Sequence, residues 1–158
     1  MNQRLLSARS LLALAGFVVA TFCAPFAGMI APPGAWYATL AKPEWNPPSW
    51  IFGPVWTALY LMMAIAAWLV WKRDGWRRPM WFYSGQLLLN AAWTPVFFAA
   101  HQIGLALIVI TALWLAILCT LLAFLRISKP AGWLMVPYLA WVSFAAFLNY
   151  TLWRMNPG

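Results

Sequence analysis

Apolar residues fall into five runs of about twenty, separated by short clusters of charge, proline and glycine. The runs cover residues 11–30, 51–71, 80–100, 103–125 and 131–153. As helices rising about 1.5 Å per residue, each crosses roughly 30 Å of hydrocarbon. The pattern therefore predicts an all-α membrane protein built as a five-transmembrane-helix bundle. Proline placement refines it. Pro25 should kink the first helix, Pro54 suits the first turn of the second, and Pro95 should bend the third near its end. Pro79 and Pro130 precede the third and fifth helices, and Pro137 falls in the early turns of the fifth.

The connections are unequal. Residues 31–49 form the only long loop, and within it 34–40 reads as a short interfacial helix, because Trp36 and Tyr37 favour headgroup depth. The join at His101-Gln102 is almost absent, so the third and fourth helices are antiparallel neighbours. The approach to the second helix, Trp45-Asn46-Pro47-Pro48-Ser49-Trp50-Ile51-Phe52-Gly53-Pro54-Val55-Trp56, is stiffened by prolines and lined by indoles. Such an entrance suits a flat, apolar ligand better than an ion.

Composition agrees with a lipid solvent. The chain has 158 residues, 65% of them hydrophobic and 8% charged, where soluble domains carry roughly 25% charged residues. This length predicts a single domain, 1–158. Thirteen tryptophans exceed what interfacial belts require. Arg4 and Arg9 precede a first run longer than the roughly 7–15 residues of a signal-peptide core, so a retained span is expected.

The net charge of +8 does not form one patch, which argues against nucleic acid. Arg4, Arg9, Lys72, Arg73, Arg77, Arg78, Arg126 and Lys129 map to one side of the membrane, and Lys42 and Arg154 to the other. In a cytoplasmic membrane, such as a bacterial inner membrane, this puts the N-terminus and the second and fourth loops in the cytoplasm.

Several chemistries lack their residues. No Asp, Glu, Lys or Arg occupies the middle of a span, which argues against proton- or ion-coupled carriers. His101 is the only histidine, so bis-histidine haem ligation fails, and it reads as a solvated turn residue. Cys23 and Cys119 have no metal or disulfide spacing. No metal site, nucleophile–base pair or phosphate loop is present.

Three helix faces are candidates for a pocket wall. Asn90, Trp93, Thr94 and Phe97 share one face of the third helix, and Trp141, Ala145, Leu148 and Asn149 one face of the fifth. Trp56 and Tyr60 share a face of the second. An Asn at mid-membrane depth must be paired, so Asn90 serves either an interhelical hydrogen bond or a ligand. Ala145 permits either close helix packing or space for a guest. Leu148, Tyr150 and Arg154 fit the loose sterol-contact pattern, which an aromatic-belt anchor with a snorkelling arginine also satisfies.

These segments together resemble the translocator protein family, also called tryptophan-rich sensory protein or peripheral benzodiazepine receptor (TspO). The likeness rests on Trp36-Tyr37, Lys42-Pro43, Trp45-Asn46-Pro47-Pro48-Ser49-Trp50, Phe52-Gly53-Pro54-Val55-Trp56, Asn90-Ala91-Ala92-Trp93-Thr94-Pro95, Pro137-Tyr138 with Trp141, and Leu148-Asn149-Tyr150 with Trp153-Arg154. It covers nearly the whole chain after residue 10. The resemblance implies a homodimer of five-helix bundles, each with a ligand cavity capped by the long first loop. It implies porphyrins such as protoporphyrin IX or haem as ligands rather than tightly bound cofactors, with sterols and benzodiazepine-type drugs as further ligands. Carried over, the pocket comprises Trp36, Tyr37, Pro48, Phe52, Trp56, Asn90, Trp93, Trp141, Ala145 and Leu148, and the sterol motif Leu148, Tyr150 and Arg154. Light-dependent porphyrin degradation in bacterial members would assign Trp56 and Trp141 a photochemical part. Pro32-Pro33 departs from the family pattern and bears on how the first loop closes. The resulting expectation is a membrane-embedded porphyrin-binding protein serving transport, sequestration or stress sensing. A porphyrin-degrading enzyme and a facilitative transporter are the alternatives.

Overall fold

A computed structural model describes residues 7–26 and 32–157. Six α-helices are described: α1 Ala8–Cys23, α2 Ala35–Thr39, α3 Phe52–Asp74, α4 Arg78–Thr94, α5 Ile103–Ile127 and α6 Lys129–Met155. No strand occurs among the described residues. A 3₁₀ turn, Ser49–Ile51, leads into α3. Three helical stretches are long and apolar enough to cross a membrane: Ser49–Asp74, Ile103–Ile127 and Lys129–Met155. The fold is that of an integral membrane protein. The predicted short interfacial helix is α2.

Helix ends follow local chemistry. The Ser7 hydroxyl accepts from the Ser10 amide at 3.2 Å and starts α1. The regular helix stops at Cys23; Ala24 and Pro25 form a turn in which Ala24 keeps helical angles, φ −58° and ψ −48°, and Phe26 is again helical, so the interruption falls at the predicted kink. Part of the predicted first span, 27–30, lies outside the described residues. Gly75, at φ 68°, closes α3 with its amide on the Trp71 carbonyl. Ser128 alone joins α5 to α6: its amide donates to the Phe124 carbonyl, and its hydroxyl accepts from Ala131. This tight joint needs Gly132, because a Cβ there would collide with the Leu125 side chain.

Pro95 produces a sharper effect than a bend. It has no N–H for the α-helical ladder, and residues Pro95–Ala99 widen into a π-turn in which the Ala100 amide reaches the Pro95 carbonyl at 2.9 Å. The turn ends at His101, whose φ of 56° is left-handed.

Packing is inside-out relative to a soluble protein only on its rim. Met63, Ala66, Ala67 and Val70 of α3 meet Met80 and Tyr83 of α4, Ile117 and Phe124 of α5, and Met135 and Tyr138 of α6 in a buried core. Leu12, Leu88, Ile108, Leu115, Leu122 and Trp133 point outward. In water such a surface is an interaction patch; in hydrocarbon it carries no penalty. Cys23 and Cys119 are unpaired and exposed on this rim.

The helices do not pack uniformly. α6 runs along α5 and against α3, α5 lies against α4, and α1 lies against α3. Consecutive α3 and α4 touch little, and the gap between them is closed on the third side by α6. The Arg73 guanidinium donates to the Ile127 carbonyl, which puts the α3–α4 and α5–α6 turns at one end of the bundle.

Candidate functional site

The gap between α3, α4 and α6 is a cavity of about 440 Å³, lined overwhelmingly by apolar atoms. α3 supplies Phe52, Gly53, Trp56 and Tyr60, and α4 with its π-turn supplies Asn90, Trp93, Thr94, Phe97 and Phe98. α6 supplies Trp141, Phe144, Ala145, Leu148, Asn149 and Leu152. Ile110 and Leu113 of α5 form part of the back wall, and Pro33 and Tyr37 reach it from the long loop. The π-turn matters here. By adding a residue to the turn it brings two neighbouring rings, Phe97 and Phe98, to the same wall, their centroids 4.8 Å apart.

Indoles and phenols interlock around the space. Trp56 stacks on Tyr60 at 5.4 Å and meets Trp141 edge-on at 6.5 Å. Phe52 meets Trp141 edge-on at 5.9 Å. Edge-to-face and offset rings lock each other's rotamers, so the wall is preformed rather than assembled around a guest.

Most polar groups on the wall are committed to the protein. Tyr60 donates its hydroxyl proton to Asn90 Oδ1 at 2.7 Å, and Asn90 Nδ2 donates to Tyr138 Oη at 2.9 Å. Tyr138 in turn donates to Gln86 Oε1 at 2.9 Å. This chain links α3, α4 and α6 beneath the cavity, and Gln86 and Asn90 are both buried. Nearer the loop, Trp93 Nε1 donates to Asn149 Oδ1 at 3.0 Å, and Asn149 Nδ2 donates to the Ile103 carbonyl. The interhelical reading of Asn90 is therefore satisfied in full while the residue also lines the cavity. Trp141 Nε1 is buried and has no hydrogen-bond partner.

Of the residues singled out in the sequence, Tyr37, Phe52, Trp56, Asn90, Trp93, Trp141, Ala145 and Leu148 line this one cavity. Trp36 and Pro48 do not. Trp36 turns its face to His101, stacked at 4.2 Å and 16°, and its edge to Phe97. Pro48 caps the 3₁₀ turn, and its neighbour Ser49 reaches the wall instead. The sterol pattern is divided by the helix. Leu148 faces the cavity, whereas Tyr150 and Arg154 are exposed on other sides of α6. Residues two apart on a helix point in nearly opposite directions, so the three do not converge on one spot.

The sequence reading passed over Phe98, Phe144 and Leu152, which complete the wall. Phe144 lies three residues from Trp141, a helical spacing that marks the same face. Phe98 lies four residues from Thr94, which marks the same side, although it is the π-turn that brings it beside Phe97.

Tyr37 sits outside the membrane-spanning helices. Burial pushes its phenol above the ordinary range, opposed by the Asn46 side chain. Lys42 caps α2, its Nζ donating to the carbonyls of Tyr37 at 2.5 Å and Leu40 at 3.2 Å. The same ammonium lies 4.6 Å from the centroid of the Tyr37 ring. No cluster of His, Cys, Asp or Glu suited to a metal occurs among the described residues.

An all-helical membrane protein with an aromatic-walled internal cavity is the class that fold and site define. Comparison with known sequences narrows it. The model of the TspO/MBR family matches residues 9–154, and the chain belongs to that family. It is 46% identical over 130 residues to the tryptophan-rich protein TspO of Chlorobaculum tepidum, covering 79% of this chain and 82% of that one. It is 38% identical over 153 residues to protein CrtK of Rhodobacter capsulatus, covering 94% and 96%. The human translocator protein is 45% identical over 128 residues, covering 78% and 76%.

Proposed function

We propose that this protein binds a flat, largely apolar ligand of the tetrapyrrole class inside the membrane and serves in its sensing, sequestration or movement. The bundle crosses the bilayer five times, with α1 and the α4–π-turn unit as the two spans beyond the three longest. The long loop carrying α2 covers the cavity. The basic turns at the Arg73 end face the cytoplasm if the host is an inner membrane, and two copies associate as a homodimer.

The observation that carries this reading is the aromatic cavity itself. Its volume falls within the roughly 300–1,000 Å³ usual for small-molecule sites. Each 100 Å² of ligand surface it buries contributes about 2.5 kcal/mol. A single hydrogen bond adds about 0.5–1.5 kcal/mol. Burial therefore supplies the affinity, and indole N–H groups on the wall fix orientation by donating to an acceptor on the guest. A porphyrin offers both: a flat macrocycle and peripheral carboxylates. A sterol, with one hydroxyl, satisfies the same wall less fully. Family relatives bear the names tryptophan-rich sensory protein and translocator protein, which suit sensing and movement.

Titrating the purified protein with protoporphyrin IX tests the proposal. Tryptophan fluorescence should quench saturably with one ligand per chain. Quenching that grows linearly with added porphyrin, as in empty detergent micelles, would reject it.

A second reading has one specific observation behind it. Trp56 and Trp141 both line the cavity and touch edge to face, so two oxidisable indoles adjoin any bound pigment. On that reading the protein degrades porphyrin under light. Loss of porphyrin absorbance over many turnovers, abolished in Trp56→Phe or Trp141→Phe, distinguishes it from simple binding.

A further inference from the structure

The long loop is held to the bundle in two ways, and only one of them is polar. Trp36 and Tyr37 of α2 rest edge-on against Phe97 and Phe98. Lys42 stitches the loop only to itself. Among the described residues, the hydrogen bonds that join loop to helices belong to one side chain, Asn156. Its Oδ1 accepts from the Ala41 amide at 2.9 Å, and its Nδ2 donates to the Ala41 carbonyl at 2.9 Å. The carboxamide thus pairs with both backbone groups of one residue, as a neighbouring strand would. The same Nδ2 donates to the Leu152 carbonyl at 2.9 Å, which fixes the side chain against the last turn of α6. Leu152 lines the cavity, and so does Tyr37, four residues before Ala41.

We propose that Asn156 is a positioning residue that latches the α2 segment across the mouth of the cavity and thereby sets how fast ligand passes in and out. The inference rests on the binding proposal above for its ligand readout, and on geometry alone for the latch. A five-residue helix has no independent stability in water, so α2 keeps its place only through what it docks on. The aromatic contacts hold the rings of α2 but do not reach the backbone that follows it. The paired hydrogen bonds fix both register and distance. A carboxamide on an already ordered helix end loses little entropy in making them. Opening the loop requires both to break together, whereas the cavity wall on α3, α4 and α6 stays intact. The latch therefore acts on exchange rates more than on affinity.

The test compares wild type with Asn156→Ala and Asn156→Asp. Hydrogen exchange of the Ala38 and Leu40 amides reports loop opening without any ligand, because both bond within the α2 segment and not to Asn156. In Asn156→Ala these amides should exchange about tenfold faster, equivalent to about 1.4 kcal/mol, while exchange in the bundle helices is unchanged. Asn156→Asp keeps an acceptor for the Ala41 amide and should fall between the two. Stopped-flow quenching by protoporphyrin IX should then show association and dissociation both accelerated by a similar factor. Unchanged Ala38 and Leu40 exchange overturns the latch. Faster exchange with unaltered porphyrin rates overturns its role in gating. Faster dissociation alone, with association unmoved, makes Asn156 an ordinary affinity determinant and also overturns the proposal. If wild type binds no porphyrin, the exchange measurement still decides the latch while the binding proposal fails separately.

Discussion

Trp93 and Asn149 meet across the bundle, the indole N–H of one donating to the carboxamide oxygen of the other at 3.0 Å. The bond ties α4 to α6 at the cavity wall, and Asn149 passes the tie on to α5 through the Ile103 carbonyl. One buried side chain thus sets the spacing of three helices. Asn149→Leu keeps the branched shape but strands the Trp93 donor and the Ile103 acceptor. It should cost about 1–3 kcal/mol of stability, read as a lowered unfolding midpoint in detergent. A midpoint equal to wild type would mean that the two groups find other partners.

Asn90 holds the corresponding position at the cavity floor, between Tyr60 and Tyr138. Asn90→Leu breaks both bonds and should cost about 1–2 kcal/mol in helix association, in line with polar contacts in membranes. Since Tyr138 still has Gln86, the larger loss falls on Tyr60. A Tyr60→Phe/Asn90→Leu pair no less stable than Asn90→Leu alone would confirm the coupling; strictly additive losses would refute it.

Ala145 is the small residue on a wall of rings. Ala145→Phe places a ring in the cavity beside Trp141 and should abolish saturable protoporphyrin quenching while the bundle stays folded. Wild-type affinity in this variant would take α6 out of the binding site.

Trp141 donates to nothing in the protein. Trp141→Phe removes that N–H at little cost in stability and should weaken binding of a porphyrin carboxylate by about 0.5–1.5 kcal/mol. The comparison ligand is the porphyrin dimethyl ester, a poorer acceptor, for which the loss should shrink. Equal losses for acid and ester would show that the ring, and not its donor, matters.

Gly132 permits the one-residue joint between α5 and α6. Gly132→Ala forces Leu125 aside, including a 3.0 Å approach to its backbone Cα, and overpacking of this kind costs about 1–3 kcal/mol. Thermal unfolding decides the matter, and an unaltered midpoint would mean that the α5–α6 turn relaxes freely.

Much of this protein was determined by order along the chain. The apolar runs, their breaks at Gly75 and Ser128, and the near-absent join at His101 specify helices, lengths and antiparallel neighbours. Lipid enforces that outcome, because every backbone polar group in hydrocarbon must be satisfied within its own helix. Helical spacing likewise placed Asn90 with Trp93, and Trp141 with Ala145 and Leu148, on shared faces that the structure brings to one cavity. What tertiary structure alone decided depends on groups far apart in the chain. The π-turn at Pro95 swings Phe98 onto the wall and leaves Trp36 against His101 instead. Which polar groups remain free was equally unreadable: Asn90 and Asn149 look available in sequence and are spent on Tyr60, Tyr138, Trp93 and Ile103, whereas Trp141 is not. Periodicity reports the direction in which a side chain points, but only the packed helices determine what it meets there.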